Sequence, residues 1–172
     1  MWPVYDGGEK FLEEAGLLYA GSLTGMIYSP KYMGEPNIER TLKWQDWAKT
    51  SWRAFGGGAG KVPENYNKLA EAFNNEPSFS IAAYVIGNNN NGYWGTYMLV
   101  NEPNATGVYY FATVPEMRRQ GIAKAMMNAI CVLSQGKKIL LQATPAGLPF
   151  YKNFGFEELC KIPVYSDRSD VF

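Results

Sequence analysis

The spacing of apolar residues predicts two amphipathic helices ahead of a run of strands. Trp44, Trp47, Ala48, Trp52 and Phe55 recur at intervals of three and four over residues 44 to 55, the period of a helix with one buried face. Gly56 and the glycines after it stop that helix. Val62-Pro63-Glu64 opens a second one, with Tyr66, Leu69, Ala70 and Phe73 on one stripe and an end near Pro77. The period then changes. Residues 79 to 87 and 93 to 101 are rich in aromatic and β-branched side chains and flank Asn88-Asn89-Asn90-Asn91-Gly92, which predicts a hairpin. A turn at Glu102-Pro103-Asn104 leads into a third strand over 107 to 114, so three antiparallel strands follow one another.

Beyond residue 114 the pattern alternates between helix and strand. A helix over about 118 to 135 is closed by Gly136, and a buried strand follows at 138 to 143. A short helix over 146 to 154 and a strand from 156 complete the order. Strand, helix, strand implies parallel pairing through a right-handed crossover. The expected class is therefore α/β in the wide, α+β sense: a mixed, mostly antiparallel central sheet flanked by helices. Near the N-terminus, Phe11-Leu12-Glu13-Glu14-Ala15-Gly16-Leu17 has the spacing of Phe150-Tyr151-Lys152-Asn153-Phe154-Gly155-Phe156, and a strand-like run follows each. If the two are copies, the first thirty or so residues are the closing elements of an earlier module, with Leu12 where the later one has Tyr151. The chain then divides into an N-terminal extension, 1 to 35, and a main domain, 36 to 172.

Composition narrows the function by exclusion. A chain of 172 residues suits one domain, and the high apolar and aromatic content excludes a disordered one. Sixteen basic and sixteen acidic residues cancel without any basic run, so the electrostatic footprint of a nucleic-acid binder is missing. Met1 to Lys10 show no basic region leading into an apolar run, and no stretch approaches the ~18 apolar residues of a membrane span. A cytoplasmic protein with no membrane partner is expected. Histidine is absent, and Cys131 and Cys160 are the only cysteines. A zinc site of the usual ligands and every Ser-His or Cys-His nucleophile pair are thereby ruled out, and both thiols are expected to be free and buried. Asn104-Ala105-Thr106 spells a glycosylation sequon but reads as a turn.

The stretch that carries chemistry is Phe111-Ala112-Thr113-Val114-Pro115-Glu116-Met117-Arg118-Arg119-Gln120-Gly121-Ile122-Ala123, where a strand gives way to a helix. A helix start leaves backbone N–H groups without internal partners and concentrates positive dipole there, so it can hold a phosphate. Gly121 admits an anion closely and Ala123 keeps the first turn uncrowded, while Arg118, Arg119 and Lys124 add positive charge at the rim. Two rival phosphate motifs fail. Gly56-Gly57-Gly58-Ala59-Gly60-Lys61 lacks the first glycine of a P-loop, has Val62 where Ser or Thr must bind magnesium, and follows a helix. No G-x-G-x-x-G opens the later helix, which removes a dinucleotide fold.

The stretch resembles the cofactor motif of the GNAT acyltransferases, Q/R-x-x-G-x-G/A, with Arg118, Gly121 and Ala123 at the marked positions. Leu148 to Phe156 is similar to the family's F-Y-x-x-x-G-F segment. In element order the resemblance covers about residues 36 to 166, with its specific residues between 107 and 156. It implies a sheet whose parallel pair splays to hold acetyl-CoA, with Phe111, Ala112, Thr113, Arg118, Arg119, Gln120, Gly121, Ile122, Ala123 and Lys124 as cofactor-binding residues. It also implies direct attack of an amine on the thioester, an oxyanion held by strand backbone near Thr113, and Tyr151 as proton donor to the departing thiolate. The acceptor would be a small-molecule or peptide amine, and a homodimer is an open assembly. Trp44, Trp47, Trp52, Phe55, Tyr109 and Tyr110 are candidate lining for an apolar acceptor pocket, although core packing accounts for them equally. The chain departs from the family pattern in having Thr113 for valine and Ala123 for the commoner glycine. It also has a single strand after the last helix, so the final strand must come from 164 to 172 or from 17 to 28. The alternative function is an acyl-CoA-binding sensor or a module that keeps the fold without turnover.

Overall fold

The computed structural model describes residues 8–31, 44–57, 60–75, 81–88 and 92–167. In chain order the elements are α1 (Gly8–Glu14), β1 (Leu18–Tyr28), α2 (Trp44–Trp52), α3 (Glu64–Asn75), β2 (Ile81–Asn88), β3 (Gly92–Asn101), β4 (Ala105–Thr113), α4 (Ile122–Leu133), β5 (Lys138–Ala143), α5 (Leu148–Phe154) and β6 (Glu157–Ser166). Among the described residues six strands form a mixed sheet and helices flank it, which is the expected α/β class. Two compact units share the chain: Ser29–Leu140, and Met1–Tyr28 with Leu141–Phe172. No helix among the described residues is long and apolar enough to cross a membrane. The helix stop at Pro77, the hairpin residues Asn89 to Asn91, the boundary near residue 35 and residues 168 to 172 lie outside the described residues.

In the larger unit β2, β3 and β4 pair antiparallel in succession, from Ile81↔Val100 to Asn88↔Gly92 and from Asn101↔Thr106 to Gly95↔Thr113. Alternation along the strands gives one face Ala83, Val85 and Met98, against which the expected stripe of α2 and α3 packs through Trp47, Ala48 and Ala70. The opposite face receives α4. Gly95 has no side chain where Met126 lies, and a Cβ there would stand 2.7 Å from the Met126 sulfur. Strand β5 alternates buried Ile139, Leu141 and Ala143 with exposed positions, so it is half-buried where the apolar run predicted full burial.

Two helix ends differ from the sequence expectation for the same backbone reason. α2 stops at Trp52, and a kinked turn, Arg53–Gly57, follows with Gly56 at φ 93°. Phe55 therefore leaves the buried stripe and is 53% exposed. α4 begins at Ile122 instead of 118, because Arg119 (φ 61°) and Gly121 (φ 81°) are left-handed and cannot continue a right-handed helix.

In the smaller unit the N-terminal echo is structural. Leu17 N–H bonds to Leu12 O at 2.9 Å and Gly16 N–H to Glu13 O at 2.9 Å, while Phe156 N–H bonds to Tyr151 O at 3.0 Å and Gly155 N–H to Lys152 O at 3.0 Å. Both short helices thus end in the same glycine-terminated cap, with Gly16 at φ 81° and Gly155 at φ 111°. The strands that follow pair with each other: β1 runs antiparallel to β6 from Leu18↔Ser166 to Ile27↔Glu157. Of the two candidates for the strand beside β6, residues 17 to 28 fill the place. The pair is close at Gly25, where a Cβ would lie 2.9 Å from Cys160 Sγ. Tyr28 seals its end by stacking on Phe156 at 5.1 Å. Cys131 is buried as expected, whereas Cys160 is exposed, because β6 presents most of its side chains to solvent.

Tyr97 in the core of β3 carries a stability prediction. Its ring stacks on Tyr84 at 4.8 Å, and its buried hydroxyl has no hydrogen-bond partner among the described residues. Burial, reinforced by Tyr84, raises its pKa above the ordinary value. The neutral phenol is thus favoured in the folded state, and this contribution is present below pH ~10 and lost as pH rises beyond it, by up to about 1.4 kcal/mol per unit. Tyr97→Phe removes an unsatisfied hydroxyl and is expected to stabilise the fold by about 1 kcal/mol at pH 7. Urea unfolding at pH 7 and pH 11 should show a smaller alkaline loss in the variant.

Candidate functional site

The chemistry-bearing stretch begins with an irregular strand. On β4, Tyr109 pairs with Met98 and Ala112 with Thr96, so Tyr110 and Phe111 together face Tyr97 alone. This is a β-bulge, and Tyr110 at φ 50° marks it. A bulge turns backbone groups out of the ladder, which supplies strand N–H groups to a ligand. The Tyr110 ring lies 5.0 Å from Trp47, 6.2 Å from Phe55 and 6.3 Å from Tyr66. Trp44 joins through Trp47 at 5.8 Å, and Trp52 through Tyr66 at 5.6 Å. Tyr109, proposed from sequence for the same lining, is exposed and curls over Gly107 instead.

After Thr113 the backbone leaves the sheet at buried Val114, whose N–H bonds to Trp94 O at 2.9 Å. A single 3-10 turn, Pro115–Met117, follows, then extended Arg118, then the left-handed residues Arg119 and Gly121. Gly121 is the N-cap of α4 and has no side chain to cap it. Ala125 N–H is bonded to Gly121 O at 3.0 Å, so the donors of Ile122, Ala123 and Lys124 lie in the first turn, where a helix has no internal acceptors. A Cβ built at Gly121 meets nothing within 4 Å, so the space over these donors is open. Arg119, Gln120 and Lys124 are exposed, and Ile122 and Ala123 are half-buried. Backbone donors, open space and helix dipole together fit a diphosphate.

The Arg118 side chain has a different task from the one charge alone suggests. Its Nε donates to Thr113 O at 3.2 Å and its Nη2 to Ala54 O at 3.1 Å, joining the end of β4 to the turn after α2. Arg53 pairs with Glu116 beside it. The Glu116 carboxyl is held below its usual range by its own backbone N–H, by Arg53 and by Arg118, which makes it a poor proton acceptor. Gln120 Nε2 donates to Glu116 O at 3.1 Å and fastens the loop from inside. Sequence reasoning missed the bulge, for which no residue type gave a signal. It also missed the Arg53–Glu116 pair, because single charges after a helix and after a proline are too common to single out.

Tyr151 belongs to the smaller unit. It is 8% exposed, with its ring 5.3 Å from Phe150 and 5.6 Å from Phe156. Burial raises its pKa well above the ordinary tyrosine value, so the hydroxyl stays protonated across physiological pH.

Comparison with known proteins agrees with this fold. No curated protein matches the sequence. A conserved protein of unknown function from Staphylococcus epidermidis aligns over 97% of this chain and 69% of its own, at 14% identity and a TM-score of 0.66. A predicted acetyltransferase with acetyl-CoA from Clostridium acetobutylicum aligns over 72% of this chain and 90% of its own, at 20% identity and a TM-score of 0.54. A GCN5-related N-acetyltransferase from Kribbella flavida aligns over 94% of this chain at 16% identity and a TM-score of 0.57, and this chain spans 63% of it. Residues 80–158, which hold the bulged strand, the uncapped helix start and Tyr151, match the acetyltransferase (GNAT) domain model.

Proposed function

We propose that the chain transfers an acetyl group from acetyl-CoA to an amine by direct attack. The observation that carries this reading is the open, uncapped start of α4 at left-handed Gly121, one loop after a bulged strand. The backbone donors of residues 119 to 124 would hold the diphosphate, and the strand over Phe111, Ala112 and Thr113 would meet the pantetheine arm and the carbonyl oxygen. The amine nitrogen would form the new C–N bond, Tyr151 would place its hydroxyl proton on the sulfur as the thioester C–S bond breaks, and the proton shed by the nitrogen would pass through water and restore the Tyr151 hydroxyl. The Clostridium acetobutylicum neighbour, named with acetyl-CoA, supports that choice of donor.

In this reading the acceptor would arrive as a neutral amine, since the chain has no histidine and Glu116, its carboxyl held below the usual range, is a poor base. The rate should therefore follow the acceptor's own ionisation. For two amines of different pKa, kcat/KM is expected to rise about tenfold per pH unit and level off near each amine's pKa. CoA release from acetyl-CoA, measured with an amine panel across pH, checks both points. No release with any amine, alongside intact acetyl-CoA binding, would favour the sensor reading. A break at one fixed pH for every amine would reveal a base on the protein.

A further inference from the structure

We infer that Arg53 and Glu116 are positioning residues for the cofactor loop: their ion pair, beside the two Arg118 hydrogen bonds, straps the turn after α2 onto the end of β4 and holds the loop in its binding shape. The inference rests on the reading of that loop as the acyl-CoA site. The loop needs such support. Arg119 is a non-glycine residue at φ 61°, directly after extended Arg118 and two residues before left-handed Gly121, and a backbone of this kind persists only where its surroundings over-determine it. The anchor on the other side is firm, because Ala54 is buried and α2 is fixed to the sheet by fully buried Trp47 and Ala48. From that anchor Ala54 O takes Arg118 Nη2 at 3.1 Å, and Arg53 takes the Glu116 carboxylate. Glu116 is gripped twice, since its carbonyl also accepts from Gln120 Nε2 at 3.1 Å.

The strap and a simple charge effect predict opposite signs for one variant. Acetyl-CoA is a polyanion, so if Glu116 acted only through its field, Glu116→Gln would free Arg53 and tighten binding. If the pair holds the loop in shape, Glu116→Gln weakens binding. Arg53→Gln weakens it by a similar factor, and the double variant is no weaker than either single one, because both break the same link. The pair is partly exposed, so the expected loss is modest, about three- to fivefold in Kd. Arg53→Lys keeps the pair and should bind within about twofold of the unaltered protein.

Calorimetric titration of acetyl-CoA into the unaltered chain and these four variants tests the strap, with thermal unfolding to confirm that each is folded. Three- to fivefold weaker binding for both single variants, no further loss in the double and recovery in Arg53→Lys are expected. Unchanged or tighter binding by Glu116→Gln overturns the inference, as do additive losses in the double variant. If the unaltered chain fails to bind acetyl-CoA, the reading of the loop falls and the strap falls with it. If it binds and only Glu116→Gln departs from expectation, the strap alone is lost.

Discussion

Gly121→Val is expected to weaken acetyl-CoA binding by about 100-fold or more. A Cβ at this position meets nothing within 4 Å, so the substitution disturbs no packing. It places two methyl groups in the open space over the first-turn donors of α4. Hydrogen bonds to charged groups are worth about 1.5 to 3 kcal/mol each, and displacing the diphosphate from two of them amounts to about 3 kcal/mol or more. Gly121 also sits at φ 81°, where a β-branched residue is strained by about 1 to 2 kcal/mol. That cost is small enough to leave the protein folded. Gly121→Ala carries less bulk and should fall between the two. Calorimetry gives the affinities and circular dichroism confirms the fold; full affinity in Gly121→Val would move the diphosphate elsewhere.

Tyr151→Phe is expected to lower kcat by about 100-fold with little change in acetyl-CoA affinity. The ring packs against Phe150 and Phe156, and phenylalanine keeps those contacts. Only the hydroxyl is removed, and in the proposed reaction it meets negative charge that develops on sulfur as the bond breaks. An interaction made in the transition state alone changes turnover and spares ground-state binding. General-acid removal costs about 100- to 10,000-fold. The lower end applies because burial raises the Tyr151 pKa above the ordinary value, so transfer to a thiolate, near 8.5 as the free thiol, is uphill. The same shift keeps the donor protonated, so tyrosine ionisation should not cut off activity below pH ~10. Single-turnover rates at saturating acetyl-CoA decide the point. An unchanged rate would return Tyr151 to the aromatic core.

The elements with strong periodicity were legible in the sequence. The aromatic stripe of α2, the β2–β3 hairpin and the glycine before α4 each rest on a local rule that tertiary packing did not override. Gly121 in the motif Arg118, Gly121, Ala123 marked the strand-to-helix turn for the same reason, since the left-handed backbone before α4 favours glycine. What sequence could not give is whatever depends on partners distant along the chain. The Tyr110 bulge follows from register against β3, and Arg118 reaches Ala54 only because the turn after α2 lies beside β4. Periodicity also carried Phe55 into a helix that had already ended at Trp52. The glycine cap of the N-terminal segment follows from its local spacing, whereas the pairing of β1 with β6 depends on residues more than a hundred positions away.

That pairing sets an order of events in synthesis. β1 leaves the ribosome before its partner β6, roughly 130 residues further along the chain, and at ~5 to 20 residues per second the interval is roughly 7 to 30 seconds. Throughout that time the strand holds an unsatisfied ladder edge while the residues of the larger unit, Ser29–Leu140, emerge between its two partners. Closing so long a loop adds entropy cost to the last step and slows it. A late, slow kinetic phase assigned to β1 should therefore separate from the faster collapse of the three-stranded meander.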